Sequence, residues 1–210
     1  MAISSLSKIT VPLAAGQSAT SQGLLMPKLQ YRFRVSLEGF GVSAGDVVEL
    51  TKQVIDVTRP TVAFEPITID VYNSKAYLAG KHTWSPITLN LREDVTGKVQ
   101  KVVGEQLQKQ FDFMEQASAA SGQDYKFTTR IEILDGGNGT GATQANVLET
   151  FELYGCFLTN ANYQTLAYSS NDPVTIGLEI QYDNAIQTAV EGGIGTAVGR
   201  GLGTLITGGG

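Results

Sequence analysis

Strict alternation between apolar and polar residues is the feature that most constrains how this chain folds. Between residues 29 and 38 every odd position is apolar, and every even position is polar or charged. Successive side chains of a strand point to opposite faces, so a period of two predicts a strand with one buried and one solvated face. The pattern returns near the end of the chain, at Val174, Ile176, Leu178, Ile180 and Tyr182. These two segments indicate an antiparallel sheet.

Turn residues divide the remaining chain into further strands and one helix. We expect strands at 29–38, 47–58, 62–71, 83–92, 125–134, 148–159 and 174–182, with a long loop at 72–81. Steps of three and four residues make one helical stripe, which comprises Val99, Val102, Val103, Leu107, Phe111 and Met114. The pattern predicts a mainly β fold, an antiparallel β-barrel or sandwich of about seven strands flanked by one α-helix, with N- and C-terminal arms.

The two ends of the chain differ in composition from its centre. Residues 1–26 are rich in Ser, Ala, Gly and Gln, and residues 189–210 are rich in glycine. We expect an N-terminal arm at 1–26, a β-barrel domain at 27–188 and a C-terminal arm at 189–210. We expect the C-terminal arm to become ordered by burial against neighbouring subunits. The expected anchors are Val190, Ile194, Val198, Leu202, Leu205 and Ile206.

Charge and residue usage argue against several classes of function. The net charge of −5 does not suit a protein that grips nucleic-acid phosphates. Cys156 and His82 are the only cysteine and histidine, so neither has a partner of its own kind for a metal. The glycine-rich stretch 137–141 joins two strand patterns without a lysine, which favours a hairpin loop over a phosphate site. We therefore expect no catalytic residues, no metal, no cofactor and no enzyme activity.

The sequence also bears on solubility and membrane association. The first residues lack the charged start and apolar run of a signal peptide. We find no run of the roughly 20 apolar residues that a spanning helix needs. We expect a soluble protein, made in a reducing compartment, whose subunit does not bind membranes.

One segment carries a family resemblance. It places Asn73 two residues before Lys75, then Ala79–Gly80, then Thr83 followed by the aromatic Trp84. Together with Pro27–Lys28–Leu29 and Thr58–Arg59–Pro60, this order resembles the tail tube proteins of bacteriophages with contractile tails (myophages). The resemblance covers roughly residues 27–187. It departs from the family in the insertion at 136–146 and in both arms.

The resemblance implies a structural role in a virion. Tube subunits of this family form hexameric rings that stack into a hollow conduit for genome ejection, inside a contractile sheath. The implied partners are further copies of the chain, the tail sheath protein, and baseplate and tail-terminator proteins at the tube ends. DNA would pass through the lumen without specific binding. The implied location is the phage tail, after assembly in the bacterial host cytoplasm.

The long loop at 72–81 is the expected contact between subunits. Tyr77 and Leu78 are apolar residues on a loop with no local core to accept them, which is typical of an interaction surface. The candidate contact residues are Asn73, Lys75, Tyr77, Leu78, Ala79 and Gly80. Two alternatives stay open. One is the inner-tube protein of a phage-like contractile injection system, and the other is a monomeric β-barrel that binds a small ligand, which would not assemble.

Overall fold

A computed structural model describes residues 27–42, 47, 50–135 and 145–189. The predicted C-terminal anchors, the whole N-terminal arm at 1–26 and most of the insertion at 136–146 lie outside these residues. The chain divides into two compact units, Met1–Arg32 and Phe33–Gly210. In the first unit, residues 27–32 include a turn in which the Arg32 amide donates to the Leu29 carbonyl at 3.2 Å. The second unit contains all the helices and strands given below.

Antiparallel strands make up most of the described residues, which confirms the predicted mainly β class. The strands are β1 Phe33–Glu38, β2 Val54–Val57, β3 Thr61–Val71, β4 Ser74–Ser85, β5 Ile87–Arg92, β6 Phe111–Asp112, β7 Ala117–Ser118, β8 Phe127–Leu134, β9 Val147–Asn162, β10 Thr175–Gln181 and β11 Asn184–Ala189. Two helices are described over their full length, α1 Lys98–Gln110 and α2 Gly122–Tyr125, and the described residues 47 and 50–52 are also helical. Neither of these helices is long and apolar enough to cross a membrane.

One large antiparallel sheet organises the unit. Its strand order is β1-β8-β9-β10-β5-β2, and β11 also pairs with β9. The long strand β9 lies between β8 and β11 in its first half and pairs with β10 in its second half. Among the described strands the sheet is open, with β1 and β2 as its ends, rather than closed into a barrel. Two separate two-stranded sheets are formed by β3 with β4 and by β6 with β7.

A glycine marks the point where β9 changes partners. Gly155 has φ +68°, a left-handed conformation that disfavours side chains. A Cβ there would lie 2.1 Å from Oδ2 of Asp183, which sits in the break between β10 and β11. The Asp183 amide donates to the Tyr154 carbonyl at 3.0 Å, and its carboxylate pairs with Lys126 at 2.6 Å. Gly155 therefore permits the close approach that lets β10 and β11 follow each other along β9.

The core lies between the apolar face of the large sheet and α1. Alternate residues of the central strands are fully buried, as the period of two predicts, and they include Ile87, Leu89, Leu91, Ile176, Leu178 and Ile180. Helix α1 adds Val99, Val102 and Val103 to the same cluster. Gln106 is buried beside them, because its side chain accepts from the Gly41 amide at 3.0 Å and donates to the Tyr125 carbonyl at 2.7 Å.

The helix is shorter than its stripe of apolar residues predicts. It ends at Gln110, and Phe111 follows in an extended conformation that starts the hairpin β6–β7. The carboxylate of Asp112 accepts the amides of Met114 and Glu115 at 2.9 and 3.1 Å, which stabilises the hairpin turn. Such a local side-chain cap competes with helix continuation. The placement of Phe111 and Met114 on the helix was therefore wrong.

Several strand boundaries also differ from the expectation. The first strand begins at Phe33, so Leu29 and Tyr31 precede it. Of the strand expected at 47–58, Val47 and residues 50–52 are helical, and only Val54–Val57 form β2. The strand expected at 83–92 divides at Pro86, which has no amide for the sheet. The strand expected to end at 159 continues through 162 as β9, and β11 was not predicted.

Candidate assembly surface

Strands β3 and β4 form a long ribbon that pairs with no other described strand. Their register runs from Thr61 opposite Ser85 to Val71 opposite Ser74, and Tyr72 and Asn73 make the turn. The loop expected at 72–81 is therefore wrong, because residues 74–81 belong to β4. The sequence hides this strand because the consecutive apolar residues 76–79 and then Gly80 interrupt the apolar–polar alternation.

The base of the ribbon is tied to the core by aromatic packing. Trp84 is buried and its ring centroid lies 5.7 Å from that of Tyr182, next to the end of β10. The ring centroid of His82 lies 6.2 Å from that of Trp84 and 6.2 Å from that of Phe64. The aromatic contacts therefore extend along the ribbon. The Gln181 side chain donates to the Trp84 carbonyl at 3.4 Å. Burial raises the pKa of the Tyr182 phenol.

Beyond its base, the ribbon presents apolar side chains to solvent. Register pairs share a face of an antiparallel ribbon, so Ile67 and Leu78 lie together, followed by Ile69 with Ala76. The side chains of Ile67, Ile69 and Leu78 are 52%, 43% and 54% exposed. Val71 continues the same side at the tip and is also exposed. We call these residues, Ile67, Ile69, Val71, Ala76 and Leu78, the apolar side of the ribbon.

The opposite side of the ribbon is mixed in character. Tyr77 lies opposite Thr68 and is 67% exposed. Asp70 lies opposite Lys75, and their charged atoms are 3.7 Å apart. Both faces of the ribbon are thus open to solvent. An isolated two-stranded ribbon is marginally stable in water, and contiguous exposed apolar residues mark an interaction site.

The structure brings the candidate contact residues together on this ribbon. Asn73 is in its turn, Lys75 pairs with Asp70, and Tyr77 and Leu78 point to opposite sides. Ala79 lies opposite Pro66. Gly80 is inside β4 rather than in the expected loop. Their contact with another subunit stays a prediction.

Sequence reasoning missed the contribution of β3 to this surface. Ile67, Ile69 and Val71 were assigned to a strand but not to the candidate site. A signal was present, because Ile67–Thr–Ile–Asp–Val71 alternates apolar and polar residues. An amphipathic strand of this kind fits equally well on a core or on an exposed ribbon, so the pattern does not reveal which.

Chemical functionality elsewhere in the described part of the chain is sparse. Residues 27–42, 47, 50–135 and 145–189 contain no group of three or more His, Cys, Asp or Glu residues placed to hold a metal ion. Cys156 is fully buried, and burial raises the pKa of its thiol. Its Sγ lies 3.3 Å from the Leu153 carbonyl, in donor position. These surroundings are typical of a cysteine that packs in a core.

The described geometry is that of a β-sheet protein that carries an exposed apolar ribbon. No protein-family model matches the sequence, and no curated protein matches it either. Solved structures do match the fold. A chain of the sheath–tube complex of the extracellular contractile injection system PVC aligns with a TM-score of 0.53 and 17% identity, over 78% of this chain and 93% of that one.

Two further structures extend the comparison. The cap that terminates the tube of the anti-feeding prophage aligns with a TM-score of 0.56 and 14% identity, over 84% of this chain and 99% of the other. The PVC sheath/tube terminator aligns at 0.54 and 15% identity, over 80% and 100% of the two chains. The chain therefore shares its fold with components of contractile injection systems.

Proposed function

We propose that this protein is a structural subunit of the tube of a contractile tail-like particle, and that hexameric rings of it stack into a hollow conduit. The observation that carries the proposal is the exposed apolar ribbon, on a fold shared with parts of contractile injection systems. A monomer that left Ile67, Ile69 and Leu78 in water would be prone to association. A tube subunit buries such residues against other copies.

The ribbon is the proposed contact between copies. The six candidate residues all lie on it, with Tyr77 and Leu78 on opposite sides, so copies on both sides of the ribbon can contact them. Sheet edges supply a second kind of contact. β1 and β2 end the described sheet, and an end strand can pair with a strand of another chain. Pairing around a ring would join the sheets of six copies into one continuous barrel.

The proposed partners follow from the sequence resemblance, and the structural neighbours support them. The neighbours come from a sheath–tube complex, a tube cap and a baseplate, the last with a TM-score of 0.51 and 13% identity. We infer that a contractile sheath surrounds the tube, and that baseplate and terminator proteins bind its two ends. In this role the protein is structural and performs no catalysis.

The cargo of the tube has two candidates. The resemblance of residues 73–84 to myophage tube proteins favours a phage tail that ejects DNA, assembled in the bacterial cytoplasm. The structural similarity to extracellular contractile injection systems favours a tube that delivers a protein. Nuclease treatment of whole particles followed by DNA extraction separates the two, because only a phage particle protects a genome attached to its tail.

We also infer that the C-terminal arm binds neighbouring subunits through Val190, Ile194, Val198, Leu202, Leu205 and Ile206. The last twenty residues contain many glycines, whose ordering is entropically costly. Contacts between copies can supply the compensating burial. Hydrogen exchange at residues 190–206 should slow when free subunits become tubes, and equal exchange in both forms would contradict this role.

Assembly of the purified protein tests the proposed function. Sedimentation velocity over a range of concentrations should show a species much larger than 22.4 kDa. Negative-stain images of the concentrated protein should show hollow rings or cylinders with sixfold end views. A monomer at every concentration would contradict the proposal and would favour a ligand-binding β-sheet protein instead.

A further inference from the structure

In the middle of the ribbon, β4 has one more residue than the stretch of β3 that it pairs with. Phe64 lies opposite His82, and the next pair is Pro66 opposite Ala79. Between these two pairs there are two residue steps on β3 and three on β4. The extra residue makes a β-bulge, in which Gly80 and Lys81 face Glu65. An extra residue on one strand reverses which of its side chains face each side from there on.

The reversal decides the composition of both sides of the ribbon. Trp84 and His82 lie on the side of Val62 and Phe64. Without the bulge, Leu78 and Ala76 would continue on that same side, next to Thr68 and Asp70. With the bulge, Leu78 joins Ile67 and Ala76 joins Ile69, so the apolar residues of β3 and β4 are collected on one side.

Gly80 suits the bulge because a side chain would not fit at this position. A Cβ at this position would lie 2.5 Å from the Glu65 carbonyl oxygen and 3.2 Å from Cγ1 of Ile67. The first contact is with backbone, which cannot rotate away as a side chain can. Pro66 follows Glu65 directly and has no amide to lose from the ladder, and both a bulge and a proline bend a strand. Bulge and proline together therefore set the direction of the outer ribbon.

We propose that the Gly80 bulge is the positioning element of assembly, because it gathers the apolar side of the ribbon and aims it at a second copy of this chain. This inference rests on the proposed tube function. Gly80 acts through Ile67, Ile69 and Leu78 rather than through its own contact with the neighbour. The bulge lies outside the buried core, since the residues on either side of it are mostly exposed. Its role is therefore separable from folding.

Gly80→Ala tests the proposal, with Gly104→Ala as the matched control. A Cβ at Gly104, in α1, meets nothing within 4 Å. We expect both variants to keep the circular dichroism and Trp84 fluorescence of the wild type, and the Gly104 variant to melt at a slightly higher temperature. The Gly80 variant should raise the critical concentration for assembly by about tenfold or more, as misplaced apolar contacts at an interface do. Assembly of Gly80→Ala at the wild-type critical concentration would overturn the proposal.

Deletion of Lys81 is a second test that adds no atoms. It removes the extra residue, so Gly80 can pair regularly with Glu65. Leu78 then stays opposite Ile67, but the outer ribbon loses the bend and added twist that the bulge gives it. We expect a folded protein that does not assemble. Normal tubes from this deletion would overturn the proposal, and so would unfolding of both bulge variants, since the bulge would then belong to the fold. Failure of the wild type to assemble would instead refute the tube function itself.

Discussion

The side chain of Gln110 binds both backbone groups of Leu158. Its Oε1 accepts the Leu158 amide at 2.9 Å, and its Nε2 donates to the Leu158 carbonyl at 3.0 Å. These two hydrogen bonds imitate those of a neighbouring strand. β8 begins at Phe127, which pairs with Cys156 of β9, and Gln110 binds β9 two residues further on. The last residue of α1 thus extends the ladder at the edge of β9.

Replacement of Gln110 by alanine should destabilise the protein without affecting assembly directly. Two partly buried backbone groups lose their partner, which costs about 1–3 kcal/mol in the free energy of unfolding. Urea unfolding followed by Trp84 fluorescence measures the change. Gln100→Ala is the control, because Gln100 is an exposed residue of the same helix. Equal stability of the two variants would show that the Gln110 bonds contribute little.

Gly155→Ala should also lower stability. The alanine must adopt φ +68° and displace the Asp183 carboxylate, which a Cβ would approach to 2.1 Å. A residue held in such a conformation costs about 1–3 kcal/mol. Gly104→Ala, in a helix with free space around it, should instead stabilise the protein by about 0.5–1 kcal/mol. The midpoints of urea unfolding should therefore move in opposite directions, and a shared direction would contradict this account of Gly155.

Stability should depend on pH through Glu152. The hydrogen bond from Tyr154 and then the charge of Arg130 hold the pKa of this carboxyl below its ordinary value of 4.5. A lowered native pKa gives stability that is present above pH 4.5 and is lost as pH falls through the native value. Tyr154→Phe removes the first cause. Its unfolding free energy should fall below that of the wild type near pH 7 and approach it in acid, whereas a constant difference would exclude the linkage.

The thiol of Cys156 should be protected in the native protein. Burial raises its pKa above the ordinary 9.0, so the native thiol keeps its proton to higher pH than the unfolded one. The stability that this gives is complete below pH 9.0 and is lost as pH rises through the native pKa. At pH 8, a thiol reagent should label the native protein slowly and the urea-unfolded protein quickly. Equal rates would show that Cys156 is accessible.

The sequence predicted the elements whose side chains alternate against the core. In β10, Ile176, Leu178 and Ile180 are buried as expected, because one face of a sheet interior must be apolar. The same rule failed for the ribbon, since an exposed strand and a core strand carry similar patterns. It also failed for Gln106 and Gln110, which are polar residues of α1. Their partners, such as Tyr125 and Leu158, come from distant parts of the chain.

Replacement of exposed residues on the ribbon tests the central claim most directly. Tyr77→Ser/Leu78→Ser removes one apolar residue from each side of the ribbon. Phe113→Ser/Met114→Ser is the control, because these residues are also exposed but lie in the β6–β7 turn. Critical concentrations from sedimentation and negative-stain images should show a folded ribbon variant that forms no tubes, beside a control that forms them. Tubes of normal abundance from the ribbon variant would contradict the claim that this ribbon joins the subunits.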